Sequence, residues 1–148
     1  MAETKLMPAL WFHTPDGKTD QVTHYYKSLF KNDFVAEAVI PLGETPGGNA
    51  EMCYVSLFEQ SILLMTTAIE HHKFNDSFAY QIFCNDQSEI DLYWNYLTKE
   101  GAESKCGWCI DKFGLRWQII PKNMGELMNR SNAGSVLAGQ TKIIIDQF

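Results

Sequence analysis

The sequence predicts an α+β fold: two βαβββ modules whose strands curl into a cup-shaped sheet, with helices packed on its outer, convex face. Three observations predict it. The first half reads strand, helix, three strands, and the second half reads the same way. The apolar positions Val22, Tyr25, Tyr26 and Leu29 also reappear 68 residues later as Ile90, Tyr93, Trp94 and Leu97.

In order, Pro8 to His13 (PALWFH) is a short apolar run fit for a buried strand, closed by the turn-rich TPDGKTD. A helix follows, capped by Thr19 or Asp20, with Val22, Tyr25, Tyr26, Leu29 and Phe30 on one face. FVAEAVI reads as a strand and PLGETPGGNA, rich in Gly and Pro, as an exposed loop. EMCYVSLF alternates, EQ or EQS turns the chain, and SILLMTTA is a further apolar strand. The polar IEHHKFNDS reads as a linker. Beyond it, FAYQIFC is a strand, and Ser88 with Asp91 resembles a capping box for a helix that Gly101 closes. The next strand, around Glu103 to Lys105, is weakly marked.

Cys106 to Pro121 reads as a β-hairpin with arms Gly107–Ile110 and Leu115–Ile120, a turn carrying Asp111, Lys112 and Gly114, and Pro121 as its stop. Its second arm alternates Arg116, Gln118, Ile120 with Leu115, Trp117, Ile119, so one face suits a polar-tipped pocket and the other a core. The tail holds short helices around Met124 to Met128 and Ala133 to Ala138. It ends in the β-prone KIIIDQF, a strand expected to dock on its own sheet or on a partner subunit. The expected organisation is one domain over 1–148, with module one about 6–68, module two about 77–121 and a helical and strand extension about 122–148.

A net charge of -6 argues against nucleic acid and anionic membrane surfaces as partners. No apolar run reaches the roughly 20 residues of a spanning helix, and the expected location is the cytoplasm. Cys53, Cys84, Cys106 and Cys109 suit reduced thiols rather than a disulfide framework, with Cys53 and Cys84 as core residues.

Several stretches resemble a known family: LWF, HYYKSLF, KFNDSFAYQIFCNDQSEIDLYWNYL and above all CGW followed by DKFGLRWQIIP. Over roughly residues 6 to 145 the chain is similar to the PhnB-like branch of the glyoxalase/bleomycin resistance/dioxygenase (vicinal oxygen chelate) superfamily, a branch also labelled 3-demethylubiquinone-9 3-methyltransferase domain. The resemblance implies paired βαβββ modules and a homodimer. In enzymes of the superfamily it also implies a divalent metal held by His, Glu or Gln from the first and last strands of each module. The matching positions fall near Met7, Leu64 or Met65, Ala79 and Gln118. Of these only Gln118 is a plausible ligand, and one amide oxygen beside Met, Leu and Ala cannot hold a hard or borderline ion. No cofactor is therefore expected, a divalent metal being the alternative. The methyltransferase label finds no support either, since GETPGG sits between two strands and not between a strand and a helix.

The leading expectation is a small-molecule-binding protein whose cup uses Trp11, His13, Arg116 and Gln118. Trp11 offers a stacking surface and shares a strand face with His13, which is a general base or a satisfied strand-end histidine. Arg116 recognises a carboxylate or phosphate, or pairs with Glu51 or Asp111. The enzyme alternative is a glyoxalase-type lyase, isomerase or dioxygenase using Gln118, His13 and Glu51 on a metal. The third reading is a thiol redox protein using Cys106 and Cys109; two packed or half-exposed thiols are its structural counterpart. His71 and His72 read as solvated residues of the linker, and His24 as solvated on its helix.

Overall fold

The computed structural model describes residues 4–148. It divides into two compact units, one running to His72 and the other from Lys73 to Phe148.

The first unit contains β1 (Ala9–His13), α1 (Asp20–Phe30), β2 (Phe34–Ala36), β3 (Ile40–Thr45), β4 (Gly48–Leu57) and β5 (Gln60–Thr67). Its sheet runs β1-β5-β4-β2, with β3 also on β4; β1 is parallel to β5, and the other pairs are antiparallel. Val22, Tyr25, Tyr26, Leu29 and Phe30 are all buried, as the helical spacing requires. Tyr26 packs its ring 6.0 Å from Phe12 and 6.2 Å from Phe34, so β1 and β2 meet the same helix. The start of α1 departs from expectation. Neither Thr19 nor Asp20 caps it through its own side chain; Glu51 of β4 reaches over, its Oε2 accepting from the Thr19 N–H at 2.8 Å. This anion at a helix start also complements the helix dipole.

The stretch expected to be one strand followed by an exposed loop is two strands. FVAEAVI breaks between β2 and β3, and most of PLGETPGGNA forms the β3–β4 hairpin. Every residue of β3 up to Glu44 is exposed, and its register slips between Pro41 and Gly43. An edge strand accommodates a proline at such an irregularity, and exposure on both faces erases the alternation that marks a strand. The β4–β5 turn is formed by Phe58 and Glu59, both with positive φ (48° and 67°), one residue earlier than expected.

The second unit contains β6 (Ala79–Cys84), α2 (Gln87–Lys99), β7 (Ala102–Glu103), β8 (Trp108–Ile110), β9 (Arg116–Pro121), α3 (Met124–Leu127) and α4 (Ala133–Gly139). Its sheet order, β6-β9-β8-β7 with β6 parallel to β9, repeats the connectivity of the first unit. Ile90, Tyr93, Trp94 and Leu97 are buried on α2, the counterparts of the α1 set. The cap is Asp86, whose carboxylate accepts from Glu89 N at 2.9 Å, so the helix starts before Ser88 and the Ser88–Asp91 box does not form. β9 ends at Pro121, as expected, with the proline itself its last residue, opposite Cys84.

The tail contains no strand. KIIIDQF runs as irregular backbone into a short 3-10 turn over Ile145–Gln147. Gln87 holds it, donating to the Ile143 carbonyl and accepting from Ile145 N, both at 2.9 Å, while Ile143 is fully buried. Further back, Gln140 O and Thr141 O accept from Cys106 N and Gly107 N. A side-chain amide thus satisfies groups that a sheet ladder would otherwise pair.

The β8–β9 hairpin is closed by Asp111, which is 2% exposed. Its Oδ1 accepts from Phe113 N (2.8 Å) and Leu115 N (3.1 Å), and its Oδ2 from the Trp117 indole (2.8 Å). Turn and core are thereby joined through one carboxylate. Asp111→Ala should lower the unfolding free energy by roughly 3 kcal/mol, because these N–H groups lose their acceptor inside the core. Urea denaturation measures this; a loss below about 1 kcal/mol, the worth of one ordinary hydrogen bond, would show the clamp to be dispensable.

Candidate functional site

In the first unit, alternation along β1 buries Leu10 and Phe12 and leaves Ala9, Trp11 and His13 on the opposite face. Strand register continues that face from Trp11 through Met65 and Met52 to Ile40, an apolar row across four strands. Trp11 is anchored by its indole N–H, which donates to Thr67 Oγ1 at 2.7 Å. Its ring is 38% exposed and stacks on His71, with centroids 4.8 Å apart and planes 22° from parallel. His72 lies edge-on to His71 at 4.2 Å. His71 is therefore not merely a solvated linker residue; it extends the aromatic surface of Trp11. His13 places Nδ1 3.2 Å from the Thr67 carbonyl, which can only accept, so this contact favours the proton on Nδ1 and leaves Nε2 as the free nitrogen.

In the second unit, the pairs Trp108↔Gln118 and Ile110↔Arg116 put four side chains on one face of the hairpin. Trp117 and Ile119 point the other way and are buried, as the alternation implies. Arg116 pairs with neither Glu51 nor Asp111. Its Nε donates to Asp76 Oδ1 at 2.9 Å and its Nη1 to the carbonyls of Phe74 (3.0 Å) and Gly114 (2.7 Å). Asp111 faces the core, and Glu51 caps α1. The guanidinium is thus fixed in place, while its Nη2 makes no hydrogen bond with any described residue.

Gln118 is engaged at both ends of its amide. Oε1 accepts from Gln81 Nε2 at 2.6 Å, and Nε2 donates to the Cys106 carbonyl at 3.0 Å. The residue opposite Gln118 on β6 is Gln81, not Ala79, which sits opposite Arg116. These side chains do not fit the divalent metal that the resemblance implies. Two amides bonded to each other offer weak neutral oxygens, and no group of three or more His, Cys, Asp or Glu that could hold a metal ion comes together among the described residues.

A cleft of about 320 Å³ opens on this face, lined by Asp76, Ser104, Trp108, Cys109, Ile110 and Arg116. Trp108 is 38% exposed there. Of the residues expected to bind ligand, Arg116 lines the cleft, Gln118 shares its strand face, and Trp11 and His13 stand together in the first unit. Sequence reasoning missed Trp108, Ile110, Ser104 and Asp76. The alternation of the first hairpin arm could have identified Trp108 and Ile110; Asp76 lies in the linker-like segment and carried no signal.

Cys106 has φ 58° and is half-buried, whereas Cys109 is 1% exposed. Burial, reinforced by the charges of Asp111 and Glu103, pushes the Cys109 thiol up to about 12. Such a thiol is a poor nucleophile and a poor soft-metal ligand at neutral pH, so the pair does not suit redox chemistry. Cys84 is likewise pushed up to about 12, by burial first and then by Glu89 and Asp86.

Paired βαβββ units of one connectivity define the glyoxalase/bleomycin resistance fold, and solved structures match it. The PhnB protein from Bacillus cereus aligns with a TM-score of 0.65 and 21% identity, over 79% of this chain and 99% of that one. Protein PA1353 from Pseudomonas aeruginosa aligns at 0.62 and 14%, over 80% and 98%. The fosfomycin resistance protein FosX from Listeria monocytogenes aligns at 0.54 and 14%, over 88% and 100%; a further structure of it is a complex with Mn(II) and sulfate. No curated protein matches the chain. The chain belongs to the 3-demethylubiquinone-9 3-methyltransferase family, whose model matches residues 4–120. The GETPGG stretch, Gly43 to Gly48, lies across the β3–β4 turn and feeds no helix.

In the native chain one thiol, Cys106, should react with an aromatic disulfide reagent at pH 8, and all four only after unfolding. Cys106→Ser should remove the fast phase. Fast reaction of two thiols in the native protein would contradict the burial of Cys109.

Proposed function

We propose that this chain binds a small molecule at the second unit's cleft and does so without a divalent metal. The observation that carries the reading is the Gln118 amide, which is engaged by Gln81 and by the Cys106 carbonyl beside a cleft of about 320 Å³. That volume lies at the lower end of ordinary ligand pockets, and the lining combines a tryptophan and an isoleucine with a few polar groups, as such pockets do. The first unit carries candidate binding groups of its own, the Trp11–His71 stack and His13.

The reading differs from the chemistry of FosX, whose structure holds Mn(II); here the donor set does not suit the ion. It extends to a homodimer in the cytoplasm. Exposed Val35, Val39, Ile40 and Leu42 on and between β2 and β3 offer apolar surface to a second copy, and four free cysteines accord with a reducing compartment.

Metal analysis of protein purified without chelators should find no stoichiometric Zn, Ni, Mn or Fe. In a thermal-shift screen of small molecules, stabilising compounds should act equally with and without EDTA; a ligand at 100 times its Kd raises stability by about 2.7 kcal/mol. One metal per chain, lost in Gln118→Ala, or stabilisation that vanishes in EDTA would overturn the reading.

A further inference from the structure

The cleft of the second unit carries a charge pattern that selects among ligands, an inference that rests on the small-molecule reading above. Its charged lining residues are Asp76 and Arg116, one of each sign, bonded to each other at 2.9 Å. Their charges cancel locally, so neither a net anion nor a net cation finds an uncompensated partner there. A charged ligand would lose hydration without a full counter-charge. The chain's overall charge of -6 opposes an anion further, over the ~8 Å that salt leaves unscreened.

What the pair leaves without a hydrogen bond is one donor nitrogen and one acceptor oxygen, on two groups joined through Nε and Oδ1. Arg116 uses Nε and Nη1 and keeps Nη2; Asp76 uses Oδ1 and keeps Oδ2. An amide is complementary to that arrangement, its carbonyl accepting from the guanidinium and its N–H donating to the carboxylate. The hydroxyl of Ser104 can serve either group. Beside these polar groups stand Trp108, 38% exposed, and Ile110, an apolar wall suited to a flat ring. The volume admits a single ring with its substituent.

We infer that the cleft binds an uncharged, planar ring compound bearing an amide-type edge, with the ring against Trp108 and the edge on the Asp76–Arg116 pair.

The test uses the full-length, 15N-labelled protein in EDTA and follows the four indole N–H signals, of Trp11, Trp94, Trp108 and Trp117. Benzamide, benzoate and benzylammonium are titrated in turn. Benzamide should shift the Trp108 signal saturably and bind several-fold more tightly than either ion. Asp76 is 89% exposed in its side chain, so Asp76→Asn leaves the fold intact while freeing the charge of Arg116. In that variant benzoate should overtake benzamide. Benzoate binding as tightly as benzamide to the unmodified protein, an unchanged order in Asp76→Asn, or no saturable shift at Trp108 would each overturn the inference. A shift at Trp11 alone would also overturn it and would move the binding site to the first unit, leaving only the metal independence of binding in place.

Discussion

Asp111 accepts three hydrogen bonds inside the core, from two turn amides and the Trp117 indole, and the face that carries the candidate chemistry depends on them. A buried carboxylate is tolerated only when its lone pairs are occupied by well-placed donors. Meeting that demand fixes the turn and holds Trp117 on the inner side. Because side chains alternate with a period of two, Arg116 and Gln118 are then committed to the opposite face, and a slip of one residue would exchange the two sets. Gly107 adds a second constraint. At φ 80° its N–H reaches Thr141 O, its carbonyl accepts from the Ile119 N–H, and a Cβ there would lie 2.7 Å from the Ile119 carbonyl oxygen.

On the face opposite the helix-packed core, the candidate ligand contacts are also structural groups. Gln118 bridges β6 to the Cys106 turn, and Arg116 ties the 74–76 segment to the hairpin through the Asp76 ion pair and the Phe74 carbonyl, while also bonding Gly114 O in the hairpin turn. Each residue that looks like a ligand contact in the sequence is also a brace. What remains available is smaller and more selective: the unused edges of the Asp76–Arg116 pair and the exposed faces of Trp108 and Ile110. Binding energy at such a site comes chiefly from apolar contact, and orientation from the few polar groups. The Trp11–His71 stack shows the same division, since the indole N–H is occupied by Thr67 while the ring faces outward.

Both central helices were legible because their apolar residues recur at helical spacing, and the repeat between them announced the shared connectivity of the units. The alternation in LRWQII correctly assigned Trp117 to the core and Arg116 and Gln118 to the other face. Elements whose stability comes from partners distant in sequence were not legible. The edge strand β3 buries neither face and carries Pro41 and Gly43, so it looked like a loop. The isoleucines of the tail have high strand propensity, yet Gln87, more than 50 residues earlier, takes the backbone bonds that a sheet would have made. The partner of Arg116 lies 40 residues upstream in a polar segment without periodicity. His71 is exposed, as its reading as solvated implies, but its stacking on Trp11 leaves no local pattern.

Gln81 and Gln118 form a hydrogen-bonded brace, and on the reading proposed above that position is not a metal site. Paramagnetic Mn(II), added stepwise to the 15N-labelled protein, tests it most directly through the side-chain amide signals of Gln81 and Gln118. The brace predicts that both persist at one equivalent of Mn(II), with no broadening beyond that of exposed carboxylates elsewhere. Selective loss of these two signals at substoichiometric Mn(II) would place the ion between them and contradict the account.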